Sequence, residues 1–171
     1  MKRGIHTIRS GFTEDHNPTI PRRYSLDNGN FELNQQLVAF EIFPIGTRGL
    51  ARDSLNSDPV FFIVSTDQVG AVPVTGSVSP DEYGDVLNLR PSDSRQIAWG
   101  ISSPAYGYVY TLIDPDHIIP NDIYINAYSI SSGGTITQLA ANTGFMLKME
   151  QKKNSGSEAL LYQAKESALE D

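Results

Sequence analysis

The chain has 171 residues, a formal net charge of −7, 39% hydrophobic residues and no cysteine. This length fits one domain with or without tails, and the apolar content is sufficient to fill a core. The absence of cysteine excludes disulfides, thiolate metal sites and cysteine nucleophiles. The longest apolar run, Val60 to Val64, is far shorter than the roughly 20 residues of a membrane helix. We therefore expect no membrane span, and no signal peptide, because no apolar segment follows Met1 to Arg3.

The first 35 residues differ from the rest of the chain and are predicted to form an extended arm. Residues 1–23 carry a net charge of +3, which leaves −10 for the remainder. Pro18 and Pro21 favour extended backbone, and no hydrophobic period persists there. This segment has too few apolar side chains to offset the ordering cost of folding on its own body. We expect it to contact neighbouring subunits through its cations, which are Lys2, Arg3, Arg9, Arg22 and Arg23.

Residues 36–150 are predicted to form an antiparallel β-sandwich. β-Branched and aromatic runs alternate with turn residues, and no helix is long enough to connect parallel neighbours. The predicted strands are 37–43, 60–65, 95–101, 106–113, 123–130, a return strand beginning at 135–137, and 144–150, with a weaker candidate at 86–89. The predicted core contains Val38, Phe40, Phe62, Val64, Ile97, Trp99, Leu112, Phe145 and Leu147.

Residues 151–171 are predicted to form a hinge and a short helix. Ser155 to Glu158 fits a capping box, and apolar residues then recur at helical spacing. A helix of about 12 residues is marginal alone in water. We expect it to pack on a neighbouring subunit through Leu160, Leu161, Ala164 and Ala168.

No catalytic motif is present. The strings G-x-S-x-G, H-E-x-x-H and G-x-x-x-x-G-K-[ST] are all absent, and we predict no enzyme activity, no cofactor and no metal. The most site-like string is Asp114-Pro115-Asp116-His117. Its carboxylates and imidazole are compatible with a metal site. Asp-Pro is also ordinary turn chemistry, and we interpret the string as a turn.

Two predicted strands carry a ladder of tyrosines, formed by Tyr106, Tyr108, Tyr110, Tyr124 and Tyr128. Tyrosine combines a large contact area with a polar tip, which suits a binding face. Such a ladder can stack on sugar rings or bury against another subunit. It can equally cover one face of a sheet without binding anything.

The arrangement of a basic, proline-containing arm, an antiparallel sandwich and a short C-terminal tail resembles the small single-jelly-roll coat proteins of viruses. The resemblance spans the chain at the level of architecture. It implies a structural subunit that assembles with copies of itself, and with other virion proteins, in a virion. Because the body is acidic, we expect weak or no direct nucleic acid contact. Without the viral interpretation, a soluble cytoplasmic protein is expected, and a lectin-like carbohydrate-binding module is the alternative function.

Overall fold

A computed structural model describes residues 5–13, 15–26, 33–44, 58–68, 95–103, 108–119, 121–130, 136–139 and 142–153. Within these ranges the chain is all-β, as predicted, and contains no helix. The strands are β1 (Ile5–Phe12), β2 (Arg22–Ser25), β3 (Leu33–Pro44), β4 (Val60–Ser65), β5 (Gln96–Ser103), β6 (Tyr108–Ile113), β7 (Ile118–Ile119), β8 (Asp122–Ile130), β9 (Ile136–Thr137) and β10 (Thr143–Lys153). The predicted strand at 86–89, the predicted helix with Leu160, Leu161, Ala164 and Ala168, and also Lys2, Arg3 and Tyr106 lie outside the described residues.

The strands form two antiparallel sheets that pack as a sandwich. Sheet A has the order β1-β10-β3-β7, and sheet B has the order β2-β8-β4-β5-β6, with β9 pairing on β8. Eight strands pair in a nested series: β1 with β10, β2 with β8, β3 with β7 and β4 with β5. Successive pairs of the nest alternate between the two sheets. The remaining two strands, β6 and β9, extend sheet B.

The segment predicted as an arm is part of both sheets, which corrects the boundary drawn at residue 36. All eight residues of β1 pair with β10, and β2 pairs with β8. The Phe12 side chain is fully buried between the sheets, and Pro18 and Pro21 are also buried. Backbone pairing therefore helps to hold this segment on the body despite its few apolar side chains. Each ladder of hydrogen bonds satisfies peptide groups that would otherwise need water.

Aromatic rings from both sheets meet in the core. Phe12 and Phe40 on sheet A each lie 6.1 Å from the Phe62 ring on sheet B, between centroids. Phe145 on β10 is 5.6 Å from Phe12. As predicted, Phe40, Phe62, Val64, Ile97, Phe145 and Leu147 are buried. These contacts hold the two sheets face to face.

Two irregularities in the ladders change which residues face the core. Lys148 lies opposite Ala39, whereas Met149 lies opposite Leu37, so Val38 is an extra residue in β3. Such a bulge reverses the alternation. Leu37 therefore points inward, and Val38, predicted to be in the core, is 44% exposed.

The second irregularity is in β5, where Ile97 is the extra residue between Gln96 and Ala98. Ile97 and Ala98 both join the core, and beyond the bulge the small residue Gly100 faces sheet A. A Cβ at Gly100 would overlap the side chain of Ile42 on β3. The opposite face carries Trp99, predicted as core, which is only partly buried there.

Candidate functional site

An exposed apolar strip runs along β6, the outer strand of sheet B. Tyr108, Val109, Tyr110 and Leu112 are 46%, 46%, 58% and 50% exposed, and these four residues are called the β6 strip below. Leu112 was predicted to lie in the core and does not. Single exposed apolar residues are ordinary, but adjacent ones on a single strand are the kind of feature that marks an interaction surface.

On sheet A, β3 is the described strand that contacts β6. This contact covers only part of the strand. Ile113 still packs against the core, whereas Val109, on the same side of β6, remains open to solvent. Among the described strands, only β5 pairs with β6. Side chains on both sides of β6 are partly exposed, with Val109 and Tyr110 on opposite sides.

The predicted tyrosine ladder lies on one face of sheet B but is not one uniform surface. Tyr110 lies opposite Ile101, Ile101 opposite Phe61, and Phe61 opposite Tyr128, so these four side chains form one row. Exposure falls along the row, from 58% at Tyr110 to 1% at Tyr128. With strands about 4.8 Å apart, the two ends are about 14 Å from each other.

Tyr128 is a structural residue rather than part of a ligand face. Its ring stacks on Phe61, with centroids 5.5 Å apart and planes 11° from parallel. Burial raises the pKa of the Tyr128 hydroxyl well above its ordinary value. Tyr124 is half-buried, so the exposed part of the ladder described here is Tyr108 and Tyr110.

Next to the β6 strip, Trp99 extends the apolar face toward the centre of the sheet. Trp99 lies opposite Leu112, and its indole Nε1 donates a 2.6 Å hydrogen bond to Gln96 Oε1. The other end of that carboxamide, Gln96 Nε2, is buried and has no hydrogen-bond partner among the described residues. The indole orientation is thus fixed by a side chain three positions earlier in the chain.

Two of the predicted arm cations contact their own chain. Arg22 donates to Gly11 O at 2.6 Å, and its guanidinium lies 4.6 Å from the centroid of the Phe12 ring. Arg23 forms a 2.6 Å ion pair with Asp122 on β8. Arg9 is exposed on β1. Arg23 therefore pairs with an acidic residue of its own chain, whereas the partners of Arg22 lie within the N-terminal segment itself.

A polar connection holds the segment between β1 and β2 against β8. Asn126 Nδ2 donates to Pro18 O at 2.7 Å, and Asn126 Oδ1 accepts from the Ala127 amide at 2.9 Å. These backbone partners fix the orientation of the carboxamide. His16 Nε2 lies 2.9 Å from the same Oδ1 and must therefore donate to it.

His16 is a neutral structural residue at neutral pH. Burial lowers the pKa of its imidazole below the ordinary 6.5 and the Arg22 cation lowers it further, although the hydrogen bond to Asn126 acts in the opposite direction. No sequence pattern predicts this contact, because His16 lies in an irregular segment with no hydrophobic period.

The string Asp114 to His117 forms a turn, as predicted. The Asp116 amide donates to Asp114 Oδ1 at 3.1 Å, which is the side-chain turn that aspartate favours. Gln36 Nε2 donates to Pro115 O and ties the turn to β3. His117 Nδ1 lies 4.0 Å from Asp114 Oδ2. In the described ranges, no three His, Asp or Glu side chains are grouped in a way that could hold a metal ion.

Comparison with models of known protein families and with curated proteins finds no match to this chain. Across the ranges that the structure covers, there is also no helix of the length and hydrophobicity that crossing a membrane requires.

Proposed function

We propose that the fold is a jelly roll and that the chain is a structural subunit of a homomeric assembly, a coat component of a virion. The observation that carries this proposal is the nested pairing of eight strands. Rolling up one long antiparallel hairpin produces such a nest, with successive pairs in alternate sheets, and this is the strand arrangement of jelly rolls. Viral capsid proteins and lectins are two classes built on that fold. Fold alone does not decide between them.

The β6 strip favours assembly. It places four exposed apolar side chains on one strand. Aromatic residues are enriched at protein interfaces. The strip carries no charge, so burying it against protein leaves no ion unpaired.

The arm cations Lys2, Arg3, Arg9, Arg22 and Arg23 remain proposed subunit contacts. Arg22 and Arg23 also contact their own chain, and the Arg23 side chain is 62% exposed beside its partner Asp122. The helix with Leu160 and Leu161 remains a predicted subunit contact, weak or no direct nucleic acid contact remains the expectation, and no catalytic role is proposed.

The deciding experiment is the particle size of the purified full-length chain, measured by light scattering over a range of concentrations and salt. A shell, ring or other closed multimer supports the proposal. A protein that stays monomeric at high concentration and moderate salt overturns it.

The alternative function, carbohydrate binding, is favoured by Tyr108 and Tyr110, which are both exposed on one face of β6. Their rings could stack on a sugar. A glycan array with the wild-type chain and Tyr108→Ala tests this alternative, and Thr7→Ala on β1 is the control. A glycan retained by the wild type and the control but lost by Tyr108→Ala supports the lectin interpretation, whereas no retained glycan contradicts it.

A further inference from the structure

Residues 13–21 connect β1 in sheet A to β2 in sheet B, and they are called the crossing segment below. Two turns shape this segment. In one the His16 amide donates to Thr13 O, and in the other the Ile20 amide donates to Asn17 O. None of the described residues of the crossing segment belongs to a strand, so contacts other than a β-ladder hold it on the body.

Three strands each place one side chain next to the His16 imidazole. β1 contributes Phe12, whose ring centroid is 4.3 Å from that of the imidazole. β2 contributes Arg22, whose charge acts on His16 and whose guanidinium lies 4.6 Å from the centroid of the same Phe12 ring. β8 contributes the uncharged Asn126, which accepts from Nε2. Within the crossing segment, the neighbouring Asp15 is exposed.

We infer that the crossing segment is a pH-sensitive switch, in which protonation of His16 releases residues 13–21 from β8 while the sandwich stays folded. This inference goes beyond the proposed function and does not depend on it, because every contact involved lies within one chain. It names a local opening rather than a loss of the whole fold.

The added proton must bind Nδ1 of His16. Nε2 already carries a hydrogen, because it donates to Asn126 Oδ1, and the orientation of that oxygen is fixed by the Ala127 amide. Among the described residues, no acceptor lies within hydrogen-bond distance of Nδ1. Protonation therefore creates a donor without a protein acceptor and a second cation near Arg22. Both effects raise the free energy of the closed segment.

Opening the segment removes both penalties. In the open state the imidazole is hydrated and has its ordinary pKa. In the closed state, burial and the Arg22 cation lower the pKa of His16 by more than the Asn126 hydrogen bond raises it. The open state therefore binds the proton more tightly, and acid shifts the equilibrium toward opening. At one pH unit below 6.5, this preference increases the open population by at most about tenfold.

The opening can remain local because the strands on both sides of the crossing segment have their own partners. β1 pairs with β10 over eight residues, and β2 pairs with β8 over four. Phe12 keeps its ring contacts with Phe62 and Phe145 in the core. The contacts that opening breaks are those of Asn126 with the His16 side chain and with Pro18 O.

The chain contains no cysteine, so thiol labelling at one introduced cysteine can measure the opening. In the full-length chain, Pro18→Cys places a thiol at a buried position of the crossing segment and keeps the carbonyl that Asn126 binds. The reagent is a pyridyl disulfide, which also reacts in acid. Each labelling rate is divided by the rate of the same variant unfolded in urea at the same pH.

We expect this ratio for Pro18→Cys to rise severalfold from about pH 7.5 to about pH 5.5, and by no more than about tenfold. Adding His16→Gln should make the ratio independent of pH, because glutamine can donate to Asn126 and does not titrate. Adding His117→Gln instead is the matched control and should leave the rise unchanged. A ratio that is constant in Pro18→Cys alone, or a rise that persists with His16→Gln, overturns the inference.

A second cysteine position distinguishes local opening from unfolding of the whole sandwich. Ala127→Cys on β8 is fully buried and should be labelled more slowly than Pro18→Cys at both pH values. Dilute urea should accelerate labelling of Ala127→Cys but not of Pro18→Cys, because a local opening exposes little surface. Equal rates with equal urea dependence would overturn the inference. If Pro18→Cys does not fold, Pro21→Cys, which is also buried, replaces it.

Discussion

His16 and Asn126 are 110 positions apart in the chain and are joined by a 2.9 Å hydrogen bond between Nε2 and Oδ1. The same carboxamide also binds Pro18 O and the Ala127 amide. One buried asparagine on β8 therefore anchors the segment that crosses from sheet A to sheet B. Buried networks of this kind are costly to break, because each lost partner leaves a polar group unsatisfied.

The first prediction concerns pH. Burial lowers the pKa of both His16 and His117 below 6.5, so between their folded pKa values and 6.5 the unfolded chain binds more protons than the fold. The free energy of unfolding should therefore fall as pH decreases below about 6.5. His16→Gln keeps a donor for Asn126 without titrating and should reduce this dependence.

Urea unfolding between about pH 5 and pH 8 measures the effect. Because Asp114 partly offsets the lowering at His117, His117→Gln is the useful comparison, and the double variant should have the flattest profile. A His16→Gln profile that coincides with the wild-type profile would contradict the assignment of His16 as a buried neutral donor.

The second prediction concerns the close approach of the two sheets at Gly100. A Cβ there would overlap Ile42 Cδ1 and lie 2.9 Å from Phe40 Cε1. We expect Gly100→Ala to destabilise the fold by about 1–3 kcal/mol through overpacking. Ile42→Val removes the nearest atom, so the double variant should be more stable than the sum of the single effects indicates. Additive effects in chemical denaturation would exclude this contact as the cause.

The third prediction tests which residues face the core. Phe62→Ala should cost about 3–5 kcal/mol, because the ring is 1% exposed and meets two other rings. Leu112→Ala should change stability by about 0.5 kcal/mol or less, since Leu112 is half exposed. The alternation of apolar residues in the sequence predicted that both side chains lie in the core. Similar losses of stability for Phe62→Ala and Leu112→Ala in denaturant melts would support that sequence prediction.

The fourth prediction concerns the N-terminal segment. Phe12→Ala should lower the free energy of unfolding of the monomer by about 3–5 kcal/mol, because Phe12 is fully buried. Ile5→Ala, on the same strand but 67% exposed, is the control and should have little effect. Deleting residues 1–23 should likewise lower the melting temperature. An unchanged melt after that deletion would mean that the segment is an independent arm.

The fifth prediction concerns the Asp114 turn. Since Asp114 Oδ1 accepts from the Asp116 amide, we expect calorimetric titration with calcium or zinc to give no saturable heat. Asp114→Asn preserves an acceptor and should fold normally, whereas Asp114→Ala should lose about 1 kcal/mol. Saturable binding that Asp116→Asn abolishes would reassign the string as a metal site.

Strands with strong local patterns could be predicted from the sequence. Which of their side chains face the core could be predicted only in part. The strand at 60–65 was predicted with the bounds that the structure gives, because five apolar residues stand between turn signals. The predicted direction of the side chain was wrong at Val38 and Trp99, which do not lie in the core. The bulges at Val38 and Ile97 depend on how two ladders align, and neither has a compositional signature.

Long-range pairing explains why the sequence did not predict β1 and β2 as strands. Their partners are residues 143–150 and 122–125. Strands held by such distant partners do not need a strong local pattern. The tyrosine face shows a related limit. Alternation correctly placed Tyr110 and Tyr128 on one face, but their exposure differs because one lies on an edge strand and the other near the middle of the sheet.

The nested pairing also determines the order in which this chain can complete its fold during synthesis. β1 leaves the ribosome before the other described strands, whereas its partner β10 is the last of them to be made. β4 and β5, the innermost pair, can join while the downstream strands are still being made. Closure of the outermost pair waits for almost the whole described chain, and until then Phe12 has no core to enter. Such long-range closure is slow and leaves apolar surface exposed, so the nascent sandwich is most vulnerable to aggregation just before β10 is released.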